Sequence, residues 1–346
     1  MLNITGNKMT KKVAISGYYG FENFGDEAIL RVLANRLKTE GFSVTVFSKN
    51  PKKTSEKLDV KTVYTFALKD VIKTIKNSDV LVSGGGSLLQ DATSLKSLFY
   101  YLFVIAIALT FRKKVVIFAQ GIGPINNDFG KNITKGLLKH CKYITVRDEK
   151  SLKLLEDWDI KADLVSDPVW DIQLPLYNPT DKVGVQLRSW KALSSEYLFE
   201  LANKINEYFS DKEVNIYSFQ DSLDLDICKE FENNLKTINP SIRTKVVPAL
   251  SIDETIKEFS ELSYLIGMRY HACLLALKFG IPTFALSYDE KVEKIAKRFS
   301  LPCSYLDDEE NFNQFFESLI CLKDLEQKTK ECKFDFTKIL EKIESD

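Results

Sequence analysis

The chain carries only two histidines, and one of them, His271, lies two residues after Arg269 in the otherwise apolar stretch SYLIGMRYHACLLAL. A guanidinium stays charged and forks onto carboxylate or phosphate, so an arginine in an apolar frame needs an anion. An imidazole in the first turn of a helix feels the positive end of the helix dipole, tends toward neutrality and can accept a proton. One strand later SYDEKV places Lys291 at the equivalent junction, and TVRDEKS places Arg147 directly after an earlier strand. Together Arg147, Arg269, His271 and Lys291 would form a small cationic cluster in a chain whose Lys+Arg and Asp+Glu each number 48. Such a cluster suits a compact polyanion, each charge-assisted hydrogen bond contributing about 1.5–3 kcal/mol. The plainer alternatives are a satisfied core histidine and a surface pair of Arg147 with Asp148 or Glu149.

Three further loops carry polar groups beside glycines. SGYYGFENFGDEAIL places Asn23, Asp26 and Glu27 at a helix start, where they serve as helix-terminal acids or as a grip on sugar hydroxyls. Its glycines do not follow the GxGxxG spacing, and the second strand ends in FSKN without an acidic residue, which argues against a dinucleotide site. SGGGSLLQDATS sets Gly84, Gly85 and Gly86 after a buried strand. This is more glycine than a plain turn needs, so an anionic or sugar ligand is expected there, with Gln90 and Asp91 as polar hands. AQGIGP offers Gln120 and Gly121 in a similar place, where a structural turn explains the glycines equally well.

The elements that must position these groups alternate along the chain. VAIS, SVTVF, DVLVS, KVVIFA (Lys114–Ala119) and YITV read as short buried strands. Helical patterns cover about Asp26–Thr39, Leu68–Lys76, Leu95–Phe111 and Ile133–His140. After DIQLPLYNPTDK, which has two prolines and no periodicity, the alternation restarts with KVGVQL, VNIYSF, TKVV, SYLIG and PTFAL. Apolar strands alternating with helices predict parallel sheets covered on both faces. The expected fold is α/β with two Rossmann-like domains facing a cleft, spanning 10–175 and 176–324. The remainder, 325–346, reads as a final helix packing back on the first domain. In such sheets ligands bind beyond the carboxyl ends of the strands, so the loops above are the ones to inspect.

Composition narrows the function. Balanced charge provides no general field to attract nucleic acid. The six cysteines are scattered without metal spacings or a disulfide framework, so reduced thiols in the cytoplasm and no metal are expected. The leading MLNITGNKMTKK lacks the apolar stretch of a signal peptide, and the sequon at Asn3 is read as incidental. FYYLFVIAIALTF (Phe99–Phe111) is shorter than the ~20 residues of a membrane span. It reads as a buried helix; the competing reading is peripheral contact with the inner face of a membrane, helped by Arg112, Lys113 and Lys114.

As a set, GYYGFENFGDEAIL, GGGSLLQD, AQGIGP, VRDEKS, SDPVW, GMRYH and YDEKV resemble the polysaccharide pyruvyl transferase family. They look most similar to its CsaB-type members, which act on bacterial secondary cell wall polymers. Glu22 stands where the family commonly has glycine, Gly267 where serine is common and Glu290 where proline is common. The resemblance implies a glycosyltransferase-B-like fold and phosphoenolpyruvate as donor substrate; with no metal-ligand constellation among the residues, no further cofactor is expected. The resemblance also implies a 4,6-pyruvate ketal on β-N-acetylmannosamine of a lipid-linked saccharide, and functional importance for the positions matched by Arg147, His271 and Lys291. Combined with the residue chemistry, it assigns Arg147, Arg269 and Lys291 to the donor's anionic groups and His271 to general acid–base work. Asp26 and Glu27 are then expected to act on acceptor hydroxyls. The competing functions are a nucleotide-sugar glycosyltransferase of the same architecture and a non-catalytic sugar-binding or scaffold protein.

Overall fold

A computed structural model describes residues 10–191, 193–306, 312–323 and 325–345. Asn3 and the leading segment through Met9 lie outside them. The chain divides into two compact units. The first comprises the chain through Phe21, Gly25–Asp171 and Phe334–Asp346; the second comprises Glu22–Phe24 and Ile172–Lys333.

The first unit holds β1 (Lys12–Ser16), β2 (Ser43–Ser48), β3 (Lys61–Tyr64), β4 (Val80–Ser83), β5 (Gly86–Leu89), β6 (Lys114–Ile122), β7 (Tyr143–Val146) and β8 (Asp163–Leu164). Their order is β3-β2-β1-β4-β6-β7-β8, with β5 added alongside β6, and the ladders are parallel. The second unit holds β9 (Lys182–Gln186), β10 (Glu213–Tyr217), β11 (Arg243–Val247), β12 (Leu262–Gly267), β13 (Thr283–Ser287) and β14 (Cys303–Tyr305), in the order β11-β10-β9-β12-β13-β14, again parallel. Both sheets reverse direction of growth once, between β1 and β4 and between β9 and β12. Doubly wound sheets present their ligand crevice at this point.

The strands read as apolar runs because both faces are covered: Val13, Ala14, Ile15, Val80, Leu81, Val82 and Val115–Ala119 are all buried. Ser94 starts the apolar helix Leu95–Thr110 by accepting from Ser97 N–H at 3.2 Å. That helix sinks Leu98, Leu102, Ile105 and Ala108 into the first unit's core and packs Phe99, Phe103 and Ile107 against it. No described helix is long and apolar enough to cross a membrane.

Three departures from the expected elements bear on the site. The strand expected to stop at Ala119 continues to Ile122, so Gln120 and Gly121 lie within β6 rather than in a loop after it. The glycine run turns into β5, which pairs Gly86 with Gln120 and Leu89 with Ile122. The helix expected from Ile133 starts at Asp128, because Asn127 Oδ1 accepts from Gly130 N–H at 2.8 Å and caps it early. In the carboxyl-terminal segment, Phe334 meets Phe118 of β6 edge-on and Phe336 stacks on it, and Ile339 and Ile343 of the helix Thr337–Glu344 are buried.

Burial pushes the Cys141 and Cys228 thiols up to about 12 and that of Cys303 up to about 11. Cys321 alone of the six is exposed. At pH 8 one thiol is therefore expected to react rapidly with an aromatic disulfide reagent in the native chain, and six in denaturant. Rapid modification of two or more native thiols would contradict this packing.

Candidate active site

In the second unit the strand ends of β9, β10 and β12 are joined through one carboxylate. Asp224, fully buried in the first turn of the helix Asp221–Ile238, accepts from the backbone N–H groups of Phe219 and Gln220 at 3.0 Å each. Its two oxygens also receive Arg269 Nε at 2.9 Å and Nη2 at 2.6 Å. Arg269 N–H donates to Gln186 Oε1 of β9 at 2.7 Å. Arg269 was expected to offer its charge to a ligand, but the fork is occupied by Asp224. Burial of a cation demands a partner, and the chain supplies its own. Arg269 therefore fixes the turn that delivers the next helix.

That helix, Tyr270–Phe279, begins without a side-chain cap, so the amides of its first turn are not consumed by an N-cap residue. His271 sits in this first turn, half-buried, with its ring edge-on to Tyr270 at 5.0 Å. Gly267, where a Cβ would meet Cys273 Sγ at 2.9 Å, ends β12 tightly against the helix. At the next strand end, Asp289 caps the helix Glu290–Phe299 by accepting from Lys291 N–H at 3.0 Å and Val292 N–H at 3.1 Å. Lys291 is thus an exposed first-turn residue, equivalent in place to His271.

Sequence reasoning missed Arg188, two residues beyond β9, although KVGVQLRSW shows the same strand-then-arginine order that drew attention to Arg147. Its guanidinium lies 5.3 Å from the Trp190 ring and 5.2 Å from the Tyr288 ring, and Nη1 donates to Tyr288 Oη at 2.9 Å. Burial raises the Tyr288 phenol, which stays a neutral hydroxyl. Asn23, grouped with this unit, donates from Nδ2 to Gln220 Oε1 at 3.3 Å.

The first unit gathers polar groups at the ends of β1, β4 and β6. Gln120, fully buried, donates from Nε2 to Ser83 Oγ at 2.8 Å and to the Gly84 carbonyl at 2.7 Å. Its Oε1, together with Ser16 Oγ and the hydroxyl of Tyr19, is buried with no hydrogen-bond partner among the described residues. Ala119, at φ 44°, makes the kink that aims Gln120 this way, and its N–H is caught by Thr145 Oγ1 at 2.8 Å. Burial, then the nearby charge of Asp26, holds the Tyr19 phenol well above its ordinary range. Glu27 accepts from Gly20 N–H at 2.6 Å, fixing the glycine-rich loop over the start of its helix.

The three glycines serve packing first. A Cβ on Gly84 would meet the Tyr19 hydroxyl at 1.8 Å, one on Gly85 would meet Ile29 at 2.7 Å, and one on Gly86 would meet Asp26 Oδ1 at 2.4 Å. They were expected to expose backbone to a ligand; in this structure they admit these three side chains. Gly121 likewise admits Ser87, whose Oγ would lie 2.8 Å from an added Cβ. Gln90 and Asp91 were expected as polar hands for a ligand, and both are engaged locally. Gln90 bonds to Thr93 through both ends of its amide. Asp91 accepts from Asn126 N–H at 2.8 Å and Asn127 N–H at 2.7 Å, bonds that hold its carboxyl below the usual range. Arg147 pairs not with Asp148 or Glu149 but with buried Asp167, at 2.5 Å. Asp167 belongs to the SDPVW stretch, and its other oxygen accepts from Val169 N–H at 3.0 Å. Arg147 belongs to the first unit, and Arg269, His271 and Lys291 to the second.

Comparison with known proteins agrees with this architecture. The structure resembles UDP-N-acetylglucosamine 2-epimerase from Methanocaldococcus jannaschii, with TM-score 0.67, 12% identity and coverage of 96% of this chain and 99% of that one. Anabaena HepE in complex with UDP-glucose superposes with TM-score 0.64 at 12% identity, over 96% and 98% of the two chains. A glycosyltransferase from Rickettsia africae gives 0.63 at 15% identity, over 97% and 98%. These likenesses establish an α/β fold of the glycosyltransferase-B type. No curated protein matches the sequence. The family profile of polysaccharide pyruvyl transferase matches residues 23–290, and the chain belongs to that family.

If Asp224 braces the β12 junction, Asp224→Asn lowers the unfolding free energy by about 3–5 kcal/mol in urea melts, because it strands a buried cation. Replacing both partners, Asp224→Leu with Arg269→Met, is expected to cost less than the single change. A single-variant loss below about 1 kcal/mol, the level of an exposed pair, would show that the pair braces nothing.

Proposed function

We propose that the protein transfers the enolpyruvyl carbon skeleton of phosphoenolpyruvate onto two hydroxyls of one sugar in a cell wall polysaccharide precursor, forming a cyclic ketal and releasing phosphate. Family membership supplies the pyruvyl transferase class and a polysaccharide acceptor. The donor, a 4,6-ketal on a lipid-linked N-acetylmannosamine, and a cytoplasmic site of action are this proposal's own content. The observation that carries the donor assignment is the pair of adjacent strand ends in the second unit. There His271 and Lys291 each occupy the first turn of a helix, beside a junction locked by Asp224 and Arg269.

The chemistry follows from the donor. The methylene carbon of phosphoenolpyruvate takes a proton and becomes a methyl group, leaving C2 electron-poor. One sugar hydroxyl adds to C2, the bond from C2 to the phosphate oxygen breaks, and the second hydroxyl closes the ring. Of the two hydroxyl protons, one balances the methyl group and the other leaves with phosphate. His271, near a helix N-terminus, is suited to move one of these protons. The first-turn position of Lys291 combines an ammonium with the positive end of a helix, favourable for a phosphate or carboxylate. Asp26 and Glu27 of the first unit are assigned to acceptor hydroxyls, and no metal or other cofactor enters the scheme.

Phosphate release from phosphoenolpyruvate in the presence of acceptor tests the assignment. His271→Ala is expected to lower it by about 10²–10⁴-fold with the fold intact, and an unimpaired variant would remove His271 from the reaction. Asp26→Asn should raise the KM for acceptor more than the Kd for phosphoenolpyruvate; equal loss of both would contradict its assignment to the acceptor.

A further inference from the structure

Arg147 and Arg269 each carry a buried aspartate on the guanidinium, at 2.5 and 2.6 Å. Arg188 does not. Among the described residues no carboxylate pairs with it, its Nε is buried without a hydrogen-bond partner, and one hydrogen bond to a neutral phenol is its side-chain contact with a polar group. Trp190 and Tyr288 flank the guanidinium at 5.3 and 5.2 Å. Aromatic faces hold an arginine without neutralising it, and they leave its N–H edge to donate in the plane.

Position adds to chemistry. β9 is the strand at which the second sheet reverses direction, and Arg188 lies two residues beyond its end. Its backbone N–H is held by Met268 Sδ at 3.3 Å, next to Arg269. A half-buried cation without a counter-charge is costly to keep, and a bound anion would offset that cost.

We propose that Arg188, clamped between Trp190 and Tyr288, binds a carboxylate or phosphate oxygen of the donor substrate through its free guanidinium edge. The proposal rests on the phosphoenolpyruvate reading above and replaces Arg269 as the arginine that meets the donor. Trp190 and Tyr288 are positioning residues that fix the plane of the fork.

Calorimetric titration of the full chain with phosphoenolpyruvate tests this. Arg188→Lys keeps the charge and loses the fork, and about tenfold weaker binding is expected; Arg188→Gln loses both, with about a hundredfold expected. Thermal melting of both variants should remain within a few degrees of wild type, since no buried carboxylate is stranded. Titrations with inorganic phosphate and with pyruvate separate the two anions: the one whose binding falls in Arg188→Gln is the one Arg188 holds. Trp190 also provides a local signal, so its fluorescence should change with saturation in wild type and not in Trp190→Phe. Wild-type binding retained in a folded Arg188→Gln variant would overturn the role of Arg188 and leave the pyruvyl reading standing. Failure of the wild-type chain to bind phosphoenolpyruvate would overturn both.

Discussion

The second unit depends on the carboxylate of Asp224. One buried group accepts two backbone amides from the end of β10 and both arms of Arg269 from the end of β12. Gln186 at the end of β9 holds the Arg269 backbone. Three strand ends are thereby fixed relative to one another, and the helix bearing His271 starts from a rigid turn. An uncompensated charge at this depth would cost several kcal/mol, which is why the pair must be complete for the junction to exist. Arg269 is thereby consumed by structure, its fork held by both oxygens of Asp224.

The first unit solves the same problem differently. At the ends of β4 and β6 the links are neutral hydrogen bonds, with Gln120 bridging Ser83 and Gly84 from a kinked β6; its loops are tied by Asp91 and Glu27, and a buried ion pair, Arg147 with Asp167, is confined to the region beyond β7 and β8. Close packing of Tyr19 on Gly84 and of Asp26 on Gly86 brings a phenol and a carboxylate beside the end of β4. This is an environment of hydroxyls, an amide and a carboxylate.

Much of this was legible in the sequence, for identifiable reasons. Parallel sheets follow from runs such as VVIFA and VLV, which have no polar face to give to solvent; the strand order, with its reversal in each sheet, is set by tertiary pairing and was not legible. Arg147, Arg269, His271 and Lys291 could be placed just beyond strand ends because a change of period marks those junctions, with Gly267 as an added signal before Arg269 and His271. What stayed hidden was pairing across sequence. Asp224 lies 45 residues from Arg269, and Asp167 lies 20 from Arg147. No local pattern says that a helix-starting aspartate points inward. The packing role of the glycine run was hidden for a related reason, since in sequence a Cβ-free position looks the same whether a ligand or a tyrosine fills the space. Arg188 was visible after β9, and it stands apart only once Arg147 and Arg269 are seen to be paired with buried aspartates.

The central claim is that this member of the pyruvyl transferase family moves pyruvate from phosphoenolpyruvate to a saccharide. Mass spectrometry of lipid-linked saccharides bearing N-acetylmannosamine, after incubation with the protein and phosphoenolpyruvate, tests it most directly. The account predicts a product heavier by one pyruvyl ketal, formed with stoichiometric phosphate and lost when phosphoenolpyruvate is omitted. Unchanged saccharides under those conditions, with a glycosyl mass gain when a UDP-sugar is supplied instead, would contradict it.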